Sequence, residues 1–200
     1  MRSFHKKPCR SIILTWLIFW SLNVQVIAEE VDKSSNNLFS GEFSVSVGEG
    51  KSRWYFRDRG ELSSQAYRFA YIMPTKYAWT FHQTHELKLE LEMGVHHWRD
   101  SWLEKSKSGV FFTPMWRYYI PALSQSLYFG LGIGLAYTDD DVLMDRELGS
   151  RFLFEDKFEL GMVIAQKHRV SLSVNHYSNA NIADINHGVN YYFVNYAFNF

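Results

Sequence analysis

The segment VNHYSNA at residues 174–180 places a histidine, a serine and an asparagine within four positions of one another. His176 and Ser178 are two residues apart, and side chains two apart on a β-strand point to the same side of the sheet. A serine and a histidine on one face can form a nucleophile–base pair of the kind that cleaves esters. The other interpretation is that these polar side chains only mark the end of an apolar strand. The choice depends on the strand and the face that carry them.

Alternation of apolar and polar residues is the strongest pattern after residue 38, and it predicts β-strands. It is clearest in ELKLELEMGVHHW at 86–98 and in LYFGLGIGLAY at 127–137. After residue 28, no segment shows a helical period of comparable strength. The chain is therefore predicted to be all-β, with eight strands near residues 40–48, 65–73, 86–98, 110–120, 125–137, 151–164, 168–178 and 189–200.

A soluble β-sandwich and a membrane barrel both explain this alternation. Three features favour an eight-stranded antiparallel transmembrane β-barrel. Most predicted strands are long enough to cross a bilayer, which takes about nine to eleven tilted residues. Long charged connectors alternate with short turns such as PALS and AQK. Aromatic residues also cluster near the predicted strand ends, as in interfacial girdles. These aromatic residues are Trp54, Tyr55, Trp79, Trp98, Trp102, Trp116, Tyr118 and Tyr119.

The first 28 residues have the composition of a secretory signal peptide. Four basic residues and no acidic residue precede an apolar run. The segment ends in VIA, with small residues at the positions that a signal peptidase reads. The alternative, a membrane anchor helix, is disfavoured because the apolar run is short for a full span. We therefore expect a signal peptide at 1–28 and an outer-membrane β-barrel at 29–200.

The chain that remains after residue 28 has no cysteine, because Cys9 lies in the signal segment. This excludes a disulfide scaffold, a thiolate metal site and a cysteine nucleophile. The remaining chain also carries four more acidic than basic residues, which gives no electrostatic reason to expect nucleic acid as a partner.

In a barrel of this kind, the histidine and the serine are predicted to face lipid. His176 and Ser178 are in phase with apolar Val174 and its neighbours, at the strand end that leads into a long loop. Asn190 and Asp156 are in phase with outward aromatic residues on the two adjacent strands. We therefore expect these four polar residues to converge on one patch at the outer-leaflet interface. For Asp156, a β-bulge that turns the side chain inward is the alternative.

The opposite faces of the strands are predicted to fill the barrel with charges that pair with one another, since eight strands enclose a space occupied by side chains. The predicted inward charges are Lys88, Glu90, Glu92, Arg151, Glu155, Lys157 and Glu159.

The motif HYSNA, the upstream FLFED, the downstream NHGVN and the terminal aromatic strand resemble the lipid A 3-O-deacylase family of outer-membrane barrels. The resemblance implies hydrolysis of the ester-linked acyl chain at the 3-position of lipid A, without a metal or organic cofactor. It implies that His176 is the base, that Ser178 is the nucleophile and that Asn179 helps to hold the oxyanion.

The chain departs from this family at Asn190, where the best-known members have a glutamate that orients the histidine. An asparagine can accept the Nδ1–H bond, but it cannot stabilise an imidazolium as a carboxylate does. Asp156 is a candidate for that supporting role.

Two alternatives of other classes stay open. One is a non-catalytic outer-membrane barrel with a structural or adhesive role, and the other is a barrel acyltransferase, which would need a phospholipid donor. The H-x-S-N motif favours the hydrolase. The expected partners are lipid A of lipopolysaccharide and outer-membrane lipids, and a homodimer is left open.

Overall fold

The computed structural model describes residues 41–51, 63–81, 84–100, 105–122, 125–144 and 146–199. The predicted signal segment and Phe200 lie outside these ranges. The described strands are β1 (Glu42–Lys51), β2 (Ser63–Phe81), β3 (His85–Asp100), β4 (Ser106–Ala122), β5 (Gln125–Thr138), β6 (Val142–Leu143), β7 (Arg146–Glu147), β8 (Phe152–Ile164), β9 (His168–Ser178) and β10 (Val189–Asn199). Within the described ranges, no helix is long and apolar enough to cross a membrane.

Eight of the strands close into an antiparallel barrel in the order β1-β10-β9-β8-β5-β4-β3-β2. The prediction of an eight-stranded antiparallel barrel is therefore confirmed. Strands β6 and β7 form a separate two-stranded hairpin in the connector between β5 and β8. Strand β2 continues to Phe81, well past its predicted end, through a register shift between Pro74 and Ala78. Proline has no N–H to donate to the ladder, which accounts for an irregularity at this point.

The outward face of the barrel is apolar and the inward face is polar. In β9, Val170 and Leu172 are exposed, whereas Arg169, Ser171 and Ser173, which alternate with them, are buried. This is the reverse of a soluble β-sandwich, and it is the arrangement that suits a barrel surrounded by lipid.

Buried ion pairs fill the interior. Arg117 contacts Glu90, Glu92 and Glu159 at 2.7 to 3.1 Å, and Lys157 contacts Glu92 at 2.8 Å. Arg68 extends the network toward the outer end of the barrel by pairing with Glu155 and Glu92. Five of the seven predicted inward charges take part: Glu90, Glu92, Glu155, Lys157 and Glu159.

Three sequence predictions about side-chain position were wrong. Lys88 is not one of them, because it keeps the inward phase of β3 and its ammonium lies 5.2 Å from the ring centre of Tyr119, although its side chain is half-buried and pairs with Glu86 near the short-turn end. Arg151 is exposed because it precedes β8. Trp98 and Tyr119 are not girdle residues, since both side chains lie inside the barrel in phase with its inward face.

Two connectors meet at the outer end of the barrel, and we call them rim loop 1 (residues 139–151, of which residue 145 is not described) and rim loop 2 (residues 179–188). Leu143 and Leu148 of rim loop 1 are fully buried over the barrel interior. The backbone N–H of His187 donates to the carbonyl of Glu147 at 3.2 Å. Each loop therefore fixes the position of the other.

Candidate active site

Three of the predicted polar residues lie in one straight row across three neighbouring strands. Asp156 of β8 is the direct partner of His176 of β9, and His176 is the direct partner of Asn190 of β10. All three are in phase with the outward apolar residues of their strands. The β8–β9 register is continuous from Phe154 to Ile164, so a bulge does not turn Asp156 inward. The predicted convergence is confirmed for these residues, whose Cβ atoms are spaced at roughly 5 Å as cross-strand partners.

Asn190 orients the histidine ring. Nδ1 of His176 lies 2.9 Å from Oδ1 of Asn190, whose residue is only 5% exposed. An amide oxygen can only accept a hydrogen bond, so Nδ1 carries the hydrogen and donates it. The other ring nitrogen, Nε2, is then unprotonated and able to accept a proton. Asn190 therefore selects the tautomer that a general base requires.

Ser178 lies at the last position of β9, on the same outward face as His176 and one repeat further toward the rim. The contacts of the described residues do not include a hydrogen bond between the Ser178 hydroxyl and the His176 ring. Bonds between nucleophile and base often tighten only when substrate binds. The structure thus gives the two side chains the same face and the same strand end, as predicted.

Asn179 has a different environment, because its side chain points away from lipid and is buried. Its amide donates to the carbonyls of Leu148 and Ile185, at 2.7 Å each. Its Oδ1 accepts from the N–H of Asn181 at 2.8 Å, and its own N–H donates to Oδ1 of Asn186. Both amide hydrogens therefore bridge the two rim loops. The predicted oxyanion role of Asn179 stays a prediction.

The backbone directly after the serine is unusual. Ala180 and Asn181 have φ values of 52° and 62°, a conformation that L-residues other than asparagine, aspartate and histidine seldom adopt. These two residues turn the chain sharply away from β9. The turn is held by the N–H of Ile182, which donates to the carbonyl of Asn179 at 3.0 Å. The strained turn places Ser178 at the entrance of rim loop 2.

Gly188 packs against the Cε1–Nε2 edge of the His176 ring. A Cβ atom at this position would lie 2.5 Å from Cε1 and 2.9 Å from Nε2 of His176. Any side chain there would displace the ring or cover the base nitrogen. The missing side chain of Gly188 therefore keeps the space beside Nε2 open.

An apolar groove leads away from His176 across the outward surface. Its volume is about 740 Å³, and the polar row of Asp156, His176 and Asn190 lies at one end. The remaining lining is contributed mainly by β4, β5, β8 and β9. These residues include Pro114, Trp116, Leu131, Ile133, Phe158 and Val174.

Sequence reasoning missed Gly188, Asn186 and the contact between the rim loops. Gly188 and Asn186 lie in the segment INHG, where a glycine before a strand is a signal of close backbone approach. The contact between the loops had no comparable signal, because it depends on the conformations of two segments far apart in sequence. Among the described residues, no group of three or more His, Cys, Asp or Glu side chains is arranged to hold a metal ion.

A closed barrel with an apolar outward face and a polar cluster at its outer rim defines an outer-membrane barrel with a surface site. The family model described as lipid A 3-O-deacylase (PagL) matches residues 65–199, which is most of the chain. The chain belongs to this family.

Two relatives and one solved structure show the extent of the similarity. The lipid A deacylase PagL of Bordetella bronchiseptica is 29% identical over 119 residues, which are 57% of this chain and 64% of that protein. The match therefore spans less than two thirds of that relative. The lipid A deacylase PagL of Pseudomonas aeruginosa is 27% identical over 130 residues, which are 65% of this chain and 75% of that protein. The crystal structure of the outer membrane enzyme PagL matches the fold with a TM-score of 0.69 at 24% identity, over 80% of this chain and 99% of that chain.

Proposed function

We propose that the protein removes the ester-linked acyl chain from the 3-position of lipid A, with Ser178 as nucleophile and His176 as base. The observation that carries this proposal is the outward row of Asp156, His176 and Asn190, which ends an apolar groove at the outer rim of the barrel. An ester of lipid A lies at the same level, between the sugar headgroup and the acyl chains. A substrate in the leaflet therefore reaches the site without leaving the membrane.

The reaction proceeds in two halves. The Ser178 hydroxyl attacks the ester carbonyl while Nε2 of His176 takes its proton. The tetrahedral intermediate collapses, the glucosamine 3-oxygen leaves, and His176 returns the proton to it. A water molecule, deprotonated by His176, then attacks the acyl-serine and releases the fatty acid and the free serine. Because all of these groups belong to one chain, the mechanism needs neither a cofactor nor a second copy of the protein.

The two neighbours of His176 have different roles when a positive charge develops on its ring during each half. Asn190 keeps the ring in place through the hydrogen bond at Nδ1. Asp156, the direct cross-strand partner on the other side, supplies the negative charge that an asparagine lacks. In a lipid-facing setting such a charge acts over a short distance more strongly than in water. Asp156 is therefore proposed as the group that stabilises the imidazolium.

The oxyanion of the intermediate is proposed to be held at the start of rim loop 2. Asn179 takes this role through its side-chain amide only if it gives up a bond to Leu148 or Ile185. The backbone N–H groups of the strained turn after Ser178 offer donors at the same place. The apolar groove accommodates the acyl chain that is to be cleaved.

The proposal includes export. A signal peptide is cleaved after Ala28, and the mature barrel begins at residue 29. Both suit a protein that is exported to the outer membrane.

The test measures deacylation by the refolded barrel in detergent, with lipid A analysed by mass spectrometry. We expect the loss of one acyl chain as a free fatty acid, without any phospholipid in the assay. In Ser178→Ala and His176→Ala the rate should fall about 10³-fold or more, because both act in one catalytic unit. Folding of each variant is checked by heat-modifiable migration on gels.

The matched controls are Ser108→Ala and His97→Ala. Nδ1 of His97 lies 2.9 Å from the Ser108 hydroxyl, and both side chains are exposed on the outward surface of β3 and β4. They should leave deacylation unchanged. Retained activity in a folded Ser178→Ala protein would refute the nucleophile, and acyl transfer that requires phospholipid would replace the hydrolase with an acyltransferase.

A further inference from the structure

Two basic side chains flank the catalytic row on the side of β10 and β1. Arg146 belongs to rim loop 1, and Lys51 is the last residue of β1. Neither is part of the proposed chemistry. Both are placed relative to His176 by the short segment 188–190. Arg146 contacts Gly188 at one end of it, and Lys51 pairs with Asn190 at the other.

Arg146 is held close to the base nitrogen of the histidine. Its Nη1 donates to the carbonyl oxygen of Gly188 at 3.4 Å, and Gly188 is the residue that leaves the space beside Nε2 of His176 open. Backbone dimensions then put the guanidinium within roughly 10 Å of Nε2. Arginine has five N–H donors, and this contact uses one of them. Among the described residues, Arg146 forms no ion pair.

Lys51 lies next to the row itself, because it is the direct partner of Asn190 across β1 and β10. Its ammonium pairs with Glu49 at 2.7 Å, and the side chains of Lys51 and Glu49 are 19% and 48% exposed. Because Glu49 is half exposed, we expect a phosphate to compete with it for the Lys51 ammonium. In the row from β8 to β1, the charges therefore change from negative at Asp156 to positive at Lys51.

This change of charge along the row favours one orientation of a bound substrate. The apolar groove extends from the row of Asp156, His176 and Asn190 toward β5 and β4, so the acyl chain of a bound substrate is expected on that side. An anionic group attached to the sugar is repelled by Asp156 and attracted by Arg146 and Lys51. The sugar headgroup would then lie over β10 and β1, on the side where Arg146 of rim loop 1 contacts Gly188.

We propose that Arg146, assisted by Lys51, binds a phosphate group of the substrate's glucosamine headgroup and thereby orients the 3-ester toward Ser178. Arginine suits this task because its planar guanidinium binds two phosphate oxygens at once. The proposal rests on the proposed deacylase function and adds the subsite that recognises the headgroup.

The experiment compares kcat/KM for two substrates in the same detergent: lipid A with both phosphates, and lipid A from which the phosphates have been removed. The wild-type protein should prefer the phosphorylated substrate. In Arg146→Gln the ratio of the two kcat/KM values should fall about tenfold, as expected for the loss of one charge-assisted contact. Lys51→Gln should lower the ratio less, and Arg146→Lys should restore part of it.

Arg99→Gln is the matched control, because Arg99 is an exposed basic residue on β3, on the opposite side of the barrel. Its substrate ratio should equal that of the wild type. An unchanged ratio in a folded Arg146→Gln protein would overturn the phosphate subsite while deacylation itself continues. Absence of deacylation of both substrates by the wild type would instead overturn the proposed function.

A final arm adds phosphatidylglycerol to the phosphate-free substrate. If the added phospholipid raises the rate in the wild type but not in Arg146→Gln, Arg146 binds the phosphate of a neighbouring lipid, and its proposed role in orienting the substrate is wrong. If it does not, the phosphate that matters belongs to the substrate.

Discussion

In the proposed mechanism, Asn190 and Asp156 divide a task that one carboxylate performs in most serine–histidine–acid sites. Asn190 accepts the hydrogen bond from Nδ1 and fixes the tautomer, but it carries no charge. Asp156 carries a charge, and it stands on the opposite side of His176 as its cross-strand partner. The two functions are therefore separable by mutation in this protein.

We expect Asp156→Asn to lower the deacylation rate by about tenfold or more. The loss should be smaller than the roughly 10⁴-fold loss seen where one carboxylate also holds the tautomer. Asn190→Glu should raise the rate, or restore part of it in Asp156→Asn, because it returns a negative charge to Nδ1. The measurement is the rate per heat-modifiable, folded barrel in the single and double variants.

Asp139→Asn serves as the control for that series, because Asp139 is an exposed carboxylate at the rim that contacts Ser108, away from the site. It should not change the rate. If Asp156→Asn lowers only the yield of folded barrel, Asp156 has a structural role near the rim and the proposed charge stabilisation is wrong.

The rim loops are the elements that set the geometry after Ser178. The Asn179 amide joins the carbonyls of Leu148 and Ile185, so one side chain links rim loop 1 to rim loop 2. Gly149, at φ 71°, allows the close approach, since a Cβ there would lie 2.0 Å from the Ile185 carbonyl oxygen. Positioning of the loops by Asn179 is therefore distinct from its proposed stabilisation of the oxyanion.

Asn179→Ala distinguishes these roles. If the amide positions the loops, the variant should lose deacylation by about tenfold or more and become sensitive to trypsin at Arg146 or Arg151, since an unlinked loop opens locally. If the amide holds the oxyanion, the rate should fall by about 10² to 10³ without a change in cleavage.

Asn195→Ala is the matched control for the loop experiment. Asn195 is also a buried asparagine, but its amide contacts Ser171 and Ser173 inside the barrel. The variant should lower the unfolding temperature without exposing the loops to trypsin. Equal protease sensitivity of the two variants would show that the loops respond to general destabilisation.

The period of two predicted the face of every proposed site residue on a strand, because burial alternates regularly from Leu153 to Leu160 of β8 and along β9. The same period, applied to Trp98, gives the inward face, and the expectation of a girdle failed because it followed residue type instead of phase. The loop contacts were not predictable in this way. They depend on left-handed turns and on hydrogen bonds between segments that are remote in sequence.

At the scale of the whole molecule, the barrel depends on its interior charges. Arg117 is fully buried and serves three carboxylates, those of Glu90, Glu92 and Glu159. Taking one partner out of such a network leaves buried charges that are only partly compensated. Other partners remain, since Arg169 still contacts Glu90 and Lys157 still contacts Glu92.

We expect Arg117→Met to lower the free energy of unfolding by about 3 kcal/mol, the lower part of the range for breaking a buried pair. Lys88→Met, which removes the exposed pair with Glu86, should cost less than about 1 kcal/mol. Urea unfolding, followed by heat-modifiable migration, measures both. Equal costs for the two variants would mean that the interior is hydrated enough to screen its charges.

The same packed interior has a consequence for the membrane that holds the protein. Arg117 and Glu155 have no exposed surface inside the barrel, and Tyr128, Met115 and Trp98 are buried there as well. We therefore expect no continuous water path for ions along the axis of the described barrel. The protein should then add no measurable conductance to a planar bilayer, even when many copies are inserted.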